Sequence, residues 1–159
     1  MKSVFVGALL LGIAQLSAAQ GPQPSDQACA FTVSELEGAL GAKLEAGRGS
    51  EMVFSGGKQL TCTYRGRGLV SVLLTQMRMD NPKVAQESYD RFKAGTMEPI
   101  AGDKDKARWQ LGQGDLTNVT LHYLRSGTDY QVRVSGINSK DDRAVDSMRA
   151  RVLTLRRLP

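Results

Sequence analysis

Two stretches of this chain alternate apolar and polar residues around a glycine turn, and nothing else in the sequence constrains the fold as strongly. The first runs Leu60-Thr-Cys-Thr-Tyr-Arg65, then Gly66-Arg67-Gly68, then Leu69 to Met77. The second runs Val119 to Arg125, then Ser126-Gly127, then Thr128 to Ser135. Successive side chains of a strand point to opposite faces, so this alternation reads as half-buried strands. The short glycine loops between them read as hairpin turns. A three-residue loop at 66–68 pairs Arg65 with Leu69, Tyr64 with Val70 and Cys62 with Val72. A two-residue loop at 126–127 pairs Tyr123 with Tyr130, Leu121 with Val132 and Val119 with Val134. Leu60, Cys62, Tyr64, Val70, Val72 and Leu74 then share one face with Val119, Leu121, Tyr123, Tyr130, Val132 and Val134. A slip of one residue would turn every one of them over, so they are the expected sheet core.

Helices flank these hairpins. Thr32 and Glu35 have the spacing of a capping box, and Phe31 with Leu36 that of a hydrophobic staple. Val33, Leu36 and Leu40 continue as an apolar stripe, and Gly41 supplies the stop. A second helix is predicted from Asn81, with Pro82 at its first position and Val84, Ala85, Ser88, Tyr89 and Phe92 facing inward, to Gly95. A third is predicted over about Lys140 to Arg157, capped by Ser139, with Val145, Met148, Val152 and Leu155 on its buried side.

The two hairpins resemble an internal repeat. T-C-T-Y-R-G-R-G at 61–68 lies over T-L-H-Y-L-R-S-G at 120–127, and G-A-K-L-E-A-G at 41–47 resembles G-T-M-E-P-I-A-G at 95–102. The unit is a helix, a short strand, a connecting stretch and a hairpin. Two such units are too few for a solenoid. The expected fold is α+β: one antiparallel sheet from two helix-plus-hairpin repeats, about 28–80 and 81–138, with the helices packed on one face and a C-terminal helix closing the chain. With 159 residues, 41% hydrophobic and 23% charged, residues 28–159 suffice for a single domain with one core.

The N-terminus reads as an export leader. Lys2 is the basic end, Val4 to Leu16 is an apolar run too short to span a bilayer comfortably, and Ser17-Ala18-Ala19 is a small-residue cleavage site. Residues 1–19 are therefore read as a signal peptide, residues 20–27 as a flexible lead, and the mature chain as lacking a transmembrane segment. Position 20 is Gln, so no lipidated cysteine is expected. Localisation would be periplasmic or secreted. In such an oxidising compartment Cys29 and Cys62, the two cysteines present, are expected to form a disulfide.

Little else carries chemistry. His122 is the single histidine, and no carboxylate is evident among its strand neighbours to orient it for triad chemistry. With one His and no C-x-x-C, no metal site or cofactor is expected. Asp103 and Asp105 start like a calcium loop, but Arg108 and Gly114 stand where its Gly and Glu belong. The polar face of the sheet is left as the candidate surface. Thr63, Arg65, Thr120, His122, Gln131 and Arg133 are its candidate contact residues. The last helix adds Arg143, Arg149, Arg151, Arg156 and Arg157, either a solvated face or a polyanion contact. The register buries most of the tyrosines, and nucleic-acid stacking usually wants exposed aromatics, which argues against nucleic acid.

Cys29-Ala-Phe-Thr-Val-Ser-Glu35, then Leu40-Gly41, then Cys62-Thr-Tyr64 resembles a pattern in small exported bacterial proteins of unknown function, many of them lipoproteins. The resemblance implies the disulfide and the helix-then-sheet order, and no activity. The tandem helix-plus-sheet plan also looks like that of secreted β-lactamase-inhibitor proteins, which bind their target with a concave sheet. The expectation is an exported non-catalytic module that binds a protein or small-molecule partner through its open sheet face. The alternatives are a small enzyme centred on His122, or an envelope-associated structural protein that meets polyanions through its C-terminal arginines.

Overall fold

A computed structural model describes residues 21–66, 70–92, 96–111, 116–138 and 141–159. The predicted leader, Ser139 and Gly95 lie outside these. Among the described residues the chain forms one antiparallel eight-stranded sheet with three α-helices. The strands are β1 (Gln23–Pro24), β2 (Arg48–Phe54), β3 (Gly57–Arg65), β4 (Ser71–Met79), β5 (Thr96–Pro99), β6 (Arg108–Leu111), β7 (Leu116–Arg125) and β8 (Thr128–Asn138). The helices are α1 (Val33–Leu40), α2 (Pro82–Arg91) and α3 (Asp142–Leu153). The order across the sheet is β1-β2-β3-β4-β8-β7-β6-β5. Two antiparallel meanders, β2-β3-β4 and β6-β7-β8, thus meet along β4 and β8. The α+β class, the antiparallel sheet and the C-terminal helix are those expected.

Register explains why the alternation was informative. Tyr123 pairs with Tyr130, Leu121 with Val132 and Val119 with Val134, as expected. In the first hairpin Tyr64 pairs with Val72 and Cys62 with Leu74, two residues beyond the expected partners. A shift of two keeps every side chain on its face. Eleven of the twelve expected core residues are accordingly buried. Val70 is half-buried, outside the strand, where its carbonyl accepts from Gly66 N–H at 2.8 Å.

The segment expected to be a flexible lead is built into the sheet edge instead. Gln23 pairs with Glu51 and Pro24 with Ser50, and Ser25 N–H donates to the Gly49 carbonyl at 3.1 Å. Pro24 lacks an N–H, which an edge strand tolerates. One 3₁₀ turn, Asp26–Ala28, then buries Ala28 completely. Its carbonyl accepts from the buried Gln76 amide at 3.0 Å.

α1 begins with the expected capping box. The Thr32 hydroxyl accepts from Glu35 N–H, and the Glu35 carboxylate accepts from Thr32 N–H at 2.7 Å. Gly41 ends the helix at φ 68°, where a Cβ would be strained. α1 and α3 contact each other on the Tyr64–Tyr123–Tyr130 face, and Leu36, Leu40 and Val152 join its core. α3 is capped by Asp141.

The placement of α2 differs from the expectation that all helices share a face. Tyr89 and Phe92 pack edge-on against the His122 ring, on the side of β7 opposite Leu121 and Tyr123. α2 links central β4 to edge strand β5, so it must cross the sheet, and the other face is already filled by α1, α3 and the C-terminal segment. Only Ala85 and Tyr89 of α2 are buried; Val84 and Ser88, expected inside, are exposed.

The N–H of Thr32 and the guanidinium of Arg156 hold Glu35 well down, at about 2 against an ordinary 4.5. Ionised Glu35 therefore stabilises the fold above about pH 4.5, and this contribution is lost as pH falls through about 2. Melting curves of wild type and Glu35→Gln should differ most above pH 4.5 and converge near pH 2. Parallel curves throughout would remove Glu35 from the acid response.

Candidate functional site

The six candidate contact residues do share one face. Thr63, Leu73, Arg133 and Thr120 lie in one row across β3, β4, β8 and β7, with Arg48 of β2 beyond Thr63. Gln131 lies opposite His122 in the next row. Arg65 lies opposite Ser71, which lies opposite Ser135. They are not equally accessible. Thr120 is 2% exposed and His122 0%, so neither meets a partner. Thr63, Gln131 and Arg133 are partly exposed and Arg65 is exposed.

His122 is the centre of a buried polar cluster under α2. Its Nε2 lies 2.6 Å from Asp129 Oδ1, and its Nδ1 accepts from Arg108 Nε at 3.3 Å. Arginine only donates, so Nδ1 carries the lone pair and Nε2 the proton, which Asp129 accepts. The Arg108 guanidinium also lies 4.0 Å over the Tyr89 ring and donates to the Tyr89 carbonyl at 2.5 Å. Burial pushes the Tyr89 phenol up to about 12, so it stays neutral and donates to the Lys106 carbonyl at 2.9 Å. Sequence reasoning passed over Asp129, although the Tyr123–Tyr130 pairing places it diagonally across from His122 on the same face. Arg108 had no signal, since β6 was not separately predicted. Both ring nitrogens are occupied, one by the Arg108 guanidinium and one by the largely buried Asp129 carboxylate. The cluster can fasten α2 to the sheet; it offers no free base.

Four of the five C-terminal arginines are bonded within the fold, although Arg151 and Arg156 stay exposed. Arg149 pairs with Glu98 at 2.8 Å and lies over Trp109. Arg151 donates to the Leu40 carbonyl at 2.6 Å, at the end of α1. Arg156 pairs with Glu35 at 2.6 Å. Arg157 binds Asp103 and lies over the Tyr123 ring. Burial would raise Asp103, but the N–H groups of Ala107 and Asp105, with Arg157, outweigh it and hold the carboxyl low. Of the five arginines, Arg143 alone has a guanidinium with no hydrogen bond or ion pair among the described residues.

What remains open is the half of the sheet face that α2 does not cover. Arg48 and Arg65 border a shallow cavity of about 170 Å³ with Glu45, Ala46 and Thr63. No ion pair among the described residues engages Arg48, Arg65 or Arg133. Ser50, Thr61, Thr75 and Ser135 stand among them on the same face. Along β2, β3, β4 and β8 the one carboxylate on this face is Asp129, which His122 already holds.

The disulfide is present, Cys29 to Cys62, with Cα atoms 5.0 Å apart. Among the described residues no helix is long and apolar enough to cross a membrane, and no three His, Cys, Asp or Glu side chains gather as a metal site. No family model, curated protein or solved structure matches the chain.

Proposed function

We propose that this chain is an exported, non-catalytic binding module that holds its partner on the uncovered half of the polar sheet face. The observation that carries the reading is the contrast in how arginines are used. Four of the five near the C-terminus, all but Arg143, are bonded to carboxylates and carbonyls of the fold. Arg48, Arg65 and Arg133 share a hydroxyl-rich face with no ion pair among the described residues. Arginine at the surface of a rigid sheet is a frequent anchor of protein interfaces. The occupied, buried nitrogens of His122 support binding over catalysis. The leader pattern at 1–19 and the disulfide support export. The contact set becomes Thr63, Arg65, Gln131 and Arg133, extended by Arg48.

A capture experiment tests this. The oxidised chain from Gln20 onward is immobilised and exposed to envelope extract and culture supernatant, beside an Arg65→Glu/Arg133→Glu double variant. One protein or small molecule held by the wild type should be lost by the variant. Retention of the same material by both would move the binding site off this face.

A further inference from the structure

Resting on the binding-module reading, we infer that the partner of this face is an acidic protein surface with an apolar residue at its centre. The face sets an apolar residue between basic flanks. Leu73 lies between Thr63 and Arg133 in one row, with Arg48 at the far end. Strands are spaced by roughly 4.8 Å, so Arg48 and Arg133, three strands apart, are separated by roughly 14 Å at the backbone. Arg65 lies two residues beyond Thr63 on β3, roughly 7 Å along the strand. Arg48 and Arg65 on one side and Arg133 on the other thus flank an apolar residue over an area that a flat surface would cover.

The same geometry disfavours other anions. The cavity beside Arg48 and Arg65, about 170 Å³, is smaller than the roughly 300 Å³ at which small-molecule sites begin. Glu45 lines it as well, and its charge opposes a multiply charged phosphate or sulfate more than it opposes single carboxylates. The four tyrosines and Trp109 are all buried, so a single-stranded nucleic acid finds no tyrosine or tryptophan ring to stack on. A protein bearing spaced Asp or Glu around a Leu, Val or Met complements what is left. Its association should be fast and strongly salt-dependent.

The test uses the oxidised chain with three probes: a peptide alternating Glu and Leu, a peptide of equal length alternating Ser and Leu, and inorganic polyphosphate. Binding is read by fluorescence anisotropy and the site by amide shifts. The Glu–Leu peptide should bind, shift amides of β3, β4 and β8 around Leu73, and weaken with salt. Arg65→Glu/Arg133→Glu should weaken it by about tenfold or more, about 1.4 kcal/mol. Leu73→Thr, a smaller disturbance to the sheet, should weaken it with unchanged salt dependence. Equal or tighter binding of polyphosphate would overturn the inference, as would equal binding of the Ser–Leu peptide or shifts confined to α3 near Arg143. If no probe perturbs the face while polyphosphate binds elsewhere, the binding-module reading falls with it. If the Ser–Leu peptide binds the face as well as the acidic one, the reading stands and only the acidic partner is lost.

Discussion

Removing the Cys29–Cys62 disulfide should lower the unfolding free energy by about 3–4 kcal/mol, the entropy of closing a loop this long in the unfolded chain. A marginally stable domain would lose a large part of its stability. The bond also has a local role. It fastens the segment before α1 onto β3, where Tyr64 hydroxyl donates to the Phe31 carbonyl at 2.7 Å and Cys62 is fully buried. Without it, the contacts of Ala28 and Phe31 have to hold that segment alone. Denaturant titration of a Cys29→Ala/Cys62→Ala variant against the oxidised wild type measures the effect. Equal midpoints would mean that the unfolded chain is already constrained. Gly47 gives an independent check. A Cβ there would come within 2.6 Å of Cys62 Sγ and 2.7 Å of Tyr64. Gly47→Ala should destabilise the oxidised protein and do less harm to the cysteine-free one, because removing the sulfurs opens space.

His122→Ala should cost about 3–5 kcal/mol, since it leaves a cavity and an unpartnered, largely buried Asp129. Asp129→Asn keeps an acceptor for the His122 Nε2 proton and should cost far less, about 1 kcal/mol. The effect should be local. Amide exchange in α2 should rise sharply in His122→Ala, because Tyr89, Phe92 and Arg108 all pack on that ring or bond to it. α1 and α3 sit on the opposite face and should keep most of their relative protection. Uniform loss of protection would show that the two layers unfold as one unit. Equal costs for His122→Ala and Asp129→Asn would place the effect on the carboxylate charge rather than on the imidazole.

The candidate site was legible in part. The alternation around 60–77 and 119–135 placed Thr63, Arg65, Gln131 and Arg133 on one face, and the structure keeps them there. The same alternation could not say that His122 is covered, because the cover comes from a helix whose Tyr89 is more than thirty residues away in sequence. Arg48 lies outside both alternating stretches, so nothing in the alternation places it on this face. The C-terminal arginines looked like a free basic face because their partners, Glu35, Leu40, Glu98 and Asp103, are remote in sequence.

What the sequence determined by itself was local: the parity of the strands, the capping box at Thr32, the left-handed stop at Gly41 and the pairing of two cysteines. Each depends on chemistry within a few residues, or on there being one partner to choose. The tertiary structure alone decided the order β2-β3-β4-β8-β7-β6, the face taken by α2, and which charges would be consumed inside the fold. These outcomes follow from competition for a limited surface. Once α1, α3 and the C-terminal segment cover the tyrosine face, the polar α2 can cross only on the other side, and the arginines that reach a carboxylate or a carbonyl are no longer available to a partner.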